Sequence, residues 1–410
     1  MKILYVIHQY FPDNRGGTEQ ILRRLAQEIT TFGETAIICA YSHNRTLEYP
    51  KQAGGIQYRK TDFEGIPLIE FTPAEAGRIP EPVLGELLCT EFAKQILREE
   101  KPDLVHLMHT IHVGCFAEAA QQEGIPYLCT VTDFWPVCRQ VNLMRANGQI
   151  CEVSEGGKAC NEFCGFSAAA CAEQQRRQKK RLEGAALVTV PSAFVGQRLQ
   201  RELGISQIKV VEHGVNREHL HPKQYQTKKR GDTINFSLCA FQTPTKGLQT
   251  VISAMSLLDK QPNLRLNVYG GMIGEYGRTM RALAASDGRI RFWGAYTREE
   301  QAEIFAGTDM LIIPSLCPET YQLAMREAAV CGVASIGTRS GAIRDFIQEG
   351  KNGITFRLGD SLDLAVKMYG IILEPQRMER LGRAAAETFI PTPRQEAAAY
   401  REIYQGILVK

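Results

Sequence analysis

The chain has 410 residues, of which 44% are hydrophobic and 23% are charged, and its formal net charge is +3. This length exceeds what one hydrophobic core usually organises, so two domains are expected. The small net charge argues against a nucleic-acid partner, and no apolar run approaches the roughly 18 residues that a membrane-spanning helix needs.

Short apolar runs alternate with helical patterns along the chain. The predicted strands of a first series are 3–7, 35–40, 104–107, 127–131, 187–190 and 209–212, and those of a second series are 234–240, 264–269, 290–293, 310–313, 333–336 and 353–356. Helices are predicted between most of them, as at 19–32 and 248–258. Such alternation predicts parallel sheets with crossover helices. The fold class is therefore α/β, with two doubly wound domains that bind ligands at the carboxyl ends of their strands.

The polar segment 216–232 lacks apolar periodicity and is interpreted as the connection between the domains. An N-terminal domain is expected over 1–215 and a C-terminal domain over 216–390. A last helix at 394–408 is expected to return to the first domain, so 391–410 is assigned there. The first residues predict a strand rather than a signal peptide, because no small-residue cleavage site follows them. The expected compartment is the cytoplasm.

Glycine-containing loops follow several predicted strands. Gly16 and Gly17 open the first helix, where paired glycines let the backbone approach a ligand, and they are counted among the candidate donor-binding residues. Taken alone, a plain turn explains them as well. In the second domain, Lys246 either offers a compact positive charge to a diphosphate or is a solvated loop lysine. Gly270 and Gly271 end another strand and either line a pocket for a flat base or form a tight turn.

The segment 318–328 carries two carboxylates, Glu319 and Glu327, with seven residues between them. It predicts a loop that holds Glu319, followed by a helix from about residue 321 that contains Glu327. Free N–H groups at a helix start favour an anion beside it, and carboxylates suit sugar hydroxyls. The candidate donor-binding residues at this helix start are Tyr321, Gln322 and Leu323.

Several motifs follow one another in a characteristic order. They are Gly16-Gly17 with Glu19, Pro191-Ser192 with Phe194, the segment 211–216, Lys246-Gly247, Glu319 with Glu327, Ser340-Gly341-Ala342, and the segment 350–354. In this order they resemble the retaining family-four glycosyltransferases of the GT-B fold, over nearly the whole chain. The resemblance implies two Rossmann-like domains facing across a cleft, and transfer of a sugar from a nucleotide-sugar donor held mainly by the C-terminal domain.

The resemblance also implies residue roles. Glu319 would contact the donor sugar, Glu327 the ribose of a UDP- or GDP-sugar, and Lys246 the leaving diphosphate, with no metal needed for the chemistry. Asp133, which follows a predicted N-domain strand, is the third candidate catalytic residue. It is expected on the acceptor side, near Gly16 and Gly17 and next to a glycan or lipid-linked acceptor, and membrane contact at the periphery would then be possible.

Three positions depart from the family pattern. The segment 240–242 lacks the Arg that usually precedes the loop Lys, Thr132 stands where a His is common, and Gln322 stands where Gly or Pro is common. A catalytically weak scaffold or partner subunit therefore stays an alternative. A nucleotide-sugar epimerase of the same fold is another, although it fits the two glutamates less well.

A cysteine-rich loop at 136–171 has little core of its own. Its candidate metal ligands are Cys138, Cys151, Cys160 and Cys164, with Cys171 nearby. Four thiolates in such a loop suit a structural Zn²⁺, which would supply folding energy. An iron–sulfur cluster, free thiols and disulfides are the alternatives. A related subgroup with a His-Asp-Tyr-Trp motif, of which Asp133-Phe134-Trp135 keeps part, often carries a comparable cluster.

Two further patterns are less specific. His106, His109 and His112 follow a strand at a spacing of three and are expected to be satisfied or substrate-contacting histidines rather than metal ligands. The basic run 174–181 is expected to be a solvated helix face; a surface that meets anionic lipid is the alternative.

Overall fold

The computed structural model describes residues 1–44, 46–74 and 89–409, which divide into two compact units. Unit 1 comprises Met1–Gly214 and Pro391–Lys410, and unit 2 comprises Val215–Ile390. The connecting segment 216–232 packs on unit 2. There the backbone N–H of Lys223 donates to the Cys331 carbonyl at 2.8 Å, and the Tyr225 hydroxyl donates to the Gly332 carbonyl at 2.6 Å.

Unit 1 is built on one mixed sheet. Its strands are β1 (Lys2–Ile7), β2 (Thr35–Tyr41), β3 (Lys51–Ala53), β4 (Ile56–Phe63), β5 (Ile66–Pro73), β6 (Leu104–Leu107), β7 (Tyr127–Thr130), β8 (Leu187–Val190) and β9 (Ile208–Val210). The order in the sheet is β3-β4-β5-β2-β1-β6-β7-β8-β9. Along this order, every neighbouring pair from β5 through β2, β1, β6, β7 and β8 to β9 is parallel. The pairs β3–β4 and β4–β5 are antiparallel.

The described part of unit 1 contains seven α-helices. They are α1 (Gly17–Thr31), α2 (Thr90–Glu100), α3 (Cys115–Gln122), α4 (Lys158–Cys164), α5 (Ala168–Gly184), α6 (Ala193–Leu203) and the C-terminal α14 (Pro393–Leu408). The central strands β1 and β6 are almost fully buried, as expected for parallel strands covered by crossover helices. The core lies between these strands and the apolar stripes of the helices.

The antiparallel extension β3–β5 was not among the predicted strands. Its β4–β5 hairpin turns at Glu64 and Gly65, whose φ angles are +52° and +80°. Two left-handed residues match the turn that two-residue hairpins prefer, and the Asp62 carboxylate accepts the Gly65 N–H at 2.8 Å. Glutamate is not a usual residue at such a position, so the turn carries a weak sequence signal.

Unit 2 contains an all-parallel sheet. Its strands are β10 (Ile234–Cys239), β11 (Leu264–Tyr269), β12 (Ile290–Gly294), β13 (Met310–Ile313), β14 (Ser335–Thr338) and β15 (Gly353–Phe356), in the order β12-β11-β10-β13-β14-β15. Its helices are α7 (Leu248–Leu257), α8 (Gly274–Ala284), α9 (Arg298–Ala306), α10 (Leu323–Val330), α11 (Gly341–Phe346), α12 (Ser361–Leu373) and α13 (Gln376–Ala386). This is the doubly wound order of a dinucleotide-binding fold, whose strand order reverses between β10 and β13.

Several boundaries differ from the prediction by one or two residues, and two of these differences have a clear local reason. Helix α10 begins at Leu323 rather than near residue 321, because Gln322 has φ +65° and ψ +77°, outside the helical region. Strand β14 begins at Ser335 rather than 333, because Gly332 turns with φ +77° and the Val333 N–H donates to the Ala328 carbonyl at 2.8 Å. Gly332 and Val333 therefore still belong to the C-terminal turn of helix α10.

Helix α14 is held on unit 1 by a fully buried polar network. The Tyr404 hydroxyl lies 2.7 Å from His106 Nδ1 and 3.2 Å from the Tyr5 hydroxyl. On the other side of the imidazole, Nε2 lies 2.6 Å from the Thr130 hydroxyl. His106 is therefore a satisfied core histidine, and burial lowers its pKa to about 3. Among the described residues, no helix combines the length and apolarity that a bilayer crossing requires.

Candidate functional site

The point where the strand order of unit 2 reverses brings two sequence-distant residues together. Lys246 follows β10 and Glu319 follows β13, and Lys246 Nζ donates to Glu319 Oε1 at 2.7 Å. The Ser315 hydroxyl donates to the same oxygen at 2.6 Å. Burial lowers the pKa of Lys246, but the Glu319 carboxylate more than offsets this, so the pKa is raised above its ordinary value. The lysine stays protonated and available to an anion at the carboxyl edge of the sheet.

Two glycines allow this close approach of loops. A Cβ on Gly247 would lie 1.9 Å from the Pro314 carbonyl oxygen, and one on Gly341 would lie 2.6 Å from both the N and the O of Glu319. Both residues have positive φ, of +75° and +57°. The Glu319 carbonyl also accepts the Ala342 N–H at 2.8 Å. The glycines therefore serve to fix the loop that carries Glu319.

The start of α10 lies directly after this loop. Its N-cap residue, Gln322, makes no side-chain capping bond, and the first turn contains no acidic residue, so the helix dipole favours an external anion there. Arg326, which is 2% exposed, stacks on the Tyr321 ring at 3.5 Å and donates to the Tyr321 carbonyl. This buried arginine holds the unusual turn in place.

Glu327 lies one turn further along α10 and is half-buried. Gln301 of α9 donates to Glu327 Oε2 at 2.6 Å, which fixes the carboxylate and leaves Oε1 for a further donor. A carboxylate held in this way can accept hydrogen bonds from neighbouring hydroxyls.

Gly270 and Gly271, predicted to line a base pocket, have a clear packing role. A Cβ on Gly270, whose φ is +116°, would lie 1.7 Å from the Ala240 carbonyl oxygen. The Gly271 carbonyl accepts the Gln242 N–H at 2.9 Å. The two glycines therefore let the ends of β10 and β11 meet. Gln242, which occupies the region where an arginine was expected, keeps a buried Oε1 without a hydrogen-bond partner.

A second polar group lies in unit 1, where the strand order reverses between β1 and β6. His109 Nε2 lies 2.6 Å from Asp133 Oδ2, and Asp133 Oδ1 accepts the Trp135 N–H at 2.8 Å. The rings of His8 and His109 have centroids 4.1 Å apart. Asp133 keeps 31% of its side chain exposed, so it is held in place and still accessible.

Gly16 and Gly17 lie beside this group at the start of α1. Gly16 is the N-cap and Gly17 the first helical residue. A Cβ on Gly16 would lie 2.5 Å from Glu19 Oε2, so the buried Glu19 carboxylate folds back over the helix start. Its Oε1 lies 3.6 Å from His8 Nε2 and has no hydrogen-bond partner. These glycines lie in a different unit from Lys246 and Glu319.

His8 and His112 are neutral near pH 7. Burial, together with His109, His112 and His43, lowers the pKa of His8 to about 2. Burial, His43 and His109 lower the pKa of His112 to about 4. Desolvation and mutual repulsion both disfavour the charged imidazolium.

The cysteine-rich loop forms a small hairpin followed by α4. Met144 pairs with Ile150, and the Cys151 N–H donates to the Leu143 carbonyl at 2.7 Å. The four predicted ligands line one cavity of about 10 Å³: Cys138, Cys151, Cys160 and Cys164. Within residues 1–44, 46–74 and 89–409, no group of three or more His, Cys, Asp or Glu residues is arranged to hold a metal ion. The zinc site stays a prediction.

The basic run 174–181 is not simply a solvated face. Gln174, Gln178 and Arg181 are buried on α5, and Arg181 Nε donates to Glu118 at 2.8 Å. On the exposed side, Glu173 pairs with Arg176 and Arg177. Much of the positive charge is thus compensated within the helix and its neighbours.

Several residues of these sites were not predicted from the sequence. Ser315, Gln301 and Arg326 orient the predicted glutamates and the helix start, and His8 completes the polar group of unit 1, whose Glu19 belongs to the predicted motif at the first helix. The only sequence signal for these residues is that each follows a predicted strand or lies on a predicted helix. Their partners lie far away in sequence, and the pairing depends on the packed sheet.

Two family models match this chain. The one described as Glycosyltransferase Family 4 matches residues 15–219, and the one described as Glycosyl transferases group 1 matches residues 235–373. The GDP-mannose-dependent alpha-mannosyltransferase of Corynebacterium glutamicum is 24% identical over 94% of this chain and 84% of its own length. The sulfoquinovosyl transferase SQD2 of Arabidopsis thaliana is 28% identical over 49% of this chain, and the match spans only 40% of that relative.

Solved structures agree on the fold. Sucrose-phosphate synthase from Thermosynechococcus elongatus superposes with a TM-score of 0.76 at 17% identity, covering 100% of both chains. Anabaena HepE, solved in complex with UDP and glucose, gives a TM-score of 0.70 at 17% identity, covering 99% of both. The two doubly wound units, the ordered motifs and the matching family models lead to one conclusion: the chain belongs to glycosyltransferase family 4 and has the GT-B fold.

Proposed function

We propose that the protein transfers a sugar, with retention of anomeric configuration, from a nucleoside-diphosphate sugar to a hydroxyl of a glycan or lipid-linked acceptor. The observation that carries this proposal is the Lys246–Glu319 pair at the strand-order reversal of unit 2, directly before the uncapped start of α10. A positive side chain and free helix N–H groups together suit a diphosphate. The GDP-mannose-dependent relative and the UDP complex of a structural neighbour support this class of donor.

The geometry of Glu319 supports a positioning role in the reaction. Its Oε1 already accepts hydrogen bonds from Lys246 and Ser315, which reduces its strength as a nucleophile. In the proposed step, the bond between the anomeric carbon and the phosphate oxygen breaks while the acceptor oxygen bonds to that carbon on the same face. The acceptor proton passes to the leaving phosphate. Lys246 stabilises the negative charge that develops there.

Asp133 is proposed to act on the acceptor side. Its carboxylate is fixed by His109 and by the Trp135 N–H, yet remains partly exposed. A fixed, accessible acceptor of hydrogen bonds can orient a sugar hydroxyl. Replacing Asp133 by Asn keeps the shape and removes the charge, so we expect a lower kcat with little change in donor affinity. An unchanged kcat would exclude this role.

The donor can be identified by ligand-induced stabilisation. The protein would be heated with a panel of UDP-, GDP- and ADP-sugars, since a ligand that binds only the native state raises the melting temperature. The matching donor would then be incubated with candidate acceptors, and the anomeric configuration of the product read by NMR. An inverted product would refute retention, and donor binding without any transfer would favour the scaffold alternative.

Three variants separate the roles of the donor-site residues. Lys246→Ala and Glu319→Ala should each lower kcat/KM by about 10²–10³, the usual loss on removal of one oriented electrostatic contact. Glu327→Ala should mainly weaken nucleotide binding, because a ribose contact is made equally in the ground and transition states. Calorimetry with the free nucleoside diphosphate measures that affinity.

A matched control is available within the same unit. Lys228 forms an ion pair with Asp309 at the opposite, amino-terminal end of the strands. Lys228→Ala therefore removes a comparable ion pair while leaving the donor site intact, and it should retain turnover. Full activity in Glu319→Ala would show that the site lies elsewhere. Unchanged nucleotide affinity in Glu327→Ala would exclude the ribose contact.

A further inference from the structure

Four cysteines from three separate pieces of the loop between β7 and β8 share one cavity. Cys138 lies in the turn after β7, Cys151 ends the small hairpin, and Cys160 and Cys164 lie one turn apart on α4. The cavity between them is about 10 Å³, close to the smallest space that holds a single water. Side chains that converge on so small a space from distant positions suit one bound ion.

The sulfur of Cys138 lies among backbone N–H groups of its own turn. Backbone N–H groups of Leu143, Gln140 and Asn142 point at it. They converge because Val141 and Leu143 have φ angles of +57° and +55°, a conformation that is unfavourable for a β-branched residue such as valine. Hydrogen bonds from these groups would hold the Cys138 sulfur in place at the cavity, as outer-shell donors do for a metal ligand.

Arg198 supplies a second, independent indication. Its side chain is 5% exposed, lines the cavity and donates to the carbonyls of Cys151 and Glu152. Glu202 of the same helix pairs with it at 3.0 Å. The Nε of Arg198, however, is buried without an acceptor. A thiolate in the cavity would supply the missing acceptor, and the guanidinium would offset part of the charge of several thiolates.

The loop has few other means of stabilisation. Between Cys138 and Cys164, the buried apolar side chains are those of Leu143, Ala159 and Cys160. Gly148, Gly156 and Gly157 take positive φ angles there, and such residues lose much conformational entropy on folding. A cross-link between the hairpin and α4 would therefore contribute substantially to the order of this segment.

We infer that Cys138, Cys151, Cys160 and Cys164 bind one structural Zn²⁺ ion. Four thiolates in tetrahedral arrangement are a common set for structural zinc, with Zn–S distances of about 2.3 Å. The four residues line the cavity, but their side chains are not arranged to hold an ion in this structure, so zinc binding would require the four sulfurs to move together and release their protons. This site is separate from the donor chemistry of unit 2, and either proposal stands if the other fails.

Metal content tests the inference directly. Full-length protein, purified without a metal-binding tag or added metal, should contain about one zinc per chain by elemental analysis. X-ray absorption should show four sulfur neighbours near 2.3 Å. Removal by a chelator should accelerate proteolytic cleavage within 138–171, and added Co²⁺ should restore protection with the absorption bands of tetrahedral cobalt thiolate. This measurement needs no variant and so does not depend on the folding of one.

Two cysteine variants test the ligand set. Cys164→Ser should lower the zinc content or the affinity for Co²⁺ by at least tenfold. Cys171→Ser is the matched control, because Cys171 lies in the same segment and contacts Cys160 but is not one of the four proposed ligands. Retention of metal in Cys164→Ser and loss in Cys171→Ser would overturn the assignment of ligands. Iron with inorganic sulfide, disulfides among the four cysteines, or no binding of zinc or Co²⁺ would overturn the zinc site.

Discussion

The network that holds α14 on unit 1 predicts unequal effects of two similar substitutions. Tyr404 and Tyr400 lie one turn apart on this helix, and both are fully buried. Tyr404→Phe removes the hydroxyl that contacts His106 Nδ1 at 2.7 Å and the Tyr5 hydroxyl at 3.2 Å. Among the described residues, neither of these atoms has another recorded partner. Each of the two buried groups left unsatisfied costs about 1–3 kcal/mol, so the loss should total about 2–6 kcal/mol.

Tyr400→Phe should cost less. The Tyr400 hydroxyl contacts Thr130 at 3.1 Å and Thr189 at 3.2 Å. These two hydroxyls also lie 2.7 Å from each other, and Thr130 contacts His106 as well. They therefore keep partners after the substitution, and the expected loss is that of an ordinary hydrogen bond, about 0.5–1.5 kcal/mol. The shape and apolar area of the ring are unchanged in both variants.

The two tryptophans of the chain make the assay specific to unit 1. Trp135 is buried in unit 1, and Trp293 is 56% exposed in unit 2. In a Trp293→Phe background, Trp135 fluorescence during urea unfolding reports on unit 1 alone. The free energy of unfolding follows from the midpoint and slope of the transition. Equal losses in the two variants, or a larger loss in Tyr400→Phe, would refute the account of the network.

Two further predictions concern stability. Gln322→Gly should raise the free energy of unfolding of unit 2 by about 1 kcal/mol, because it relieves the left-handed conformation of a non-glycine residue. Glu303→Gly is the control: it lies at an exposed helical position and should lower the free energy of unfolding by a similar amount. Calorimetry that finds both variants destabilised would contradict this prediction. The stability of unit 1 should fall as pH drops below about 6.5, the ordinary histidine value: the folded-state pKa values of His8 and His112 are lowered to about 2 and about 4, so the unfolded chain binds protons first. Urea titrations from pH 7.5 to 5 should show a shallower decline in His8→Gln, and an equally steep one would exclude His8 as a source.

The sequence predicted the parallel core well, because its strands are short apolar runs buried on both faces. Residues 104–107, 187–190, 264–269, 310–313 and 353–356 have the predicted bounds. Two of the errors lie where a single residue takes an unusual backbone conformation. Gln322 delays the start of α10, and the turn at Glu64 and Gly65 forms a hairpin without a typical turn sequence.

The candidate site was predictable as a set of residues but not as a set of contacts. Lys246 and Glu319 were each expected from the local pattern of strand, loop and helix. Their direct pairing follows from the adjacency of β10 and β13, which only the folded sheet establishes. Likewise, His106 and His109 share one sequence pattern, yet His106 lies in the buried network and His109 contacts Asp133. The spacing of the histidines contains no information on this difference.

The return of the chain to unit 1 has a consequence for biosynthesis. Unit 2 is one continuous segment, whereas unit 1 needs both Met1–Gly214 and Pro391–Lys410. During translation, all of unit 2 has therefore been synthesised before the last helix of unit 1 exists. Until then, His106, Thr130 and Tyr5 lack their tyrosine partners, and the apolar surface around them stays uncovered. A nascent chain of this protein must therefore keep its first unit soluble in an incomplete form while its second unit is still emerging from the ribosome.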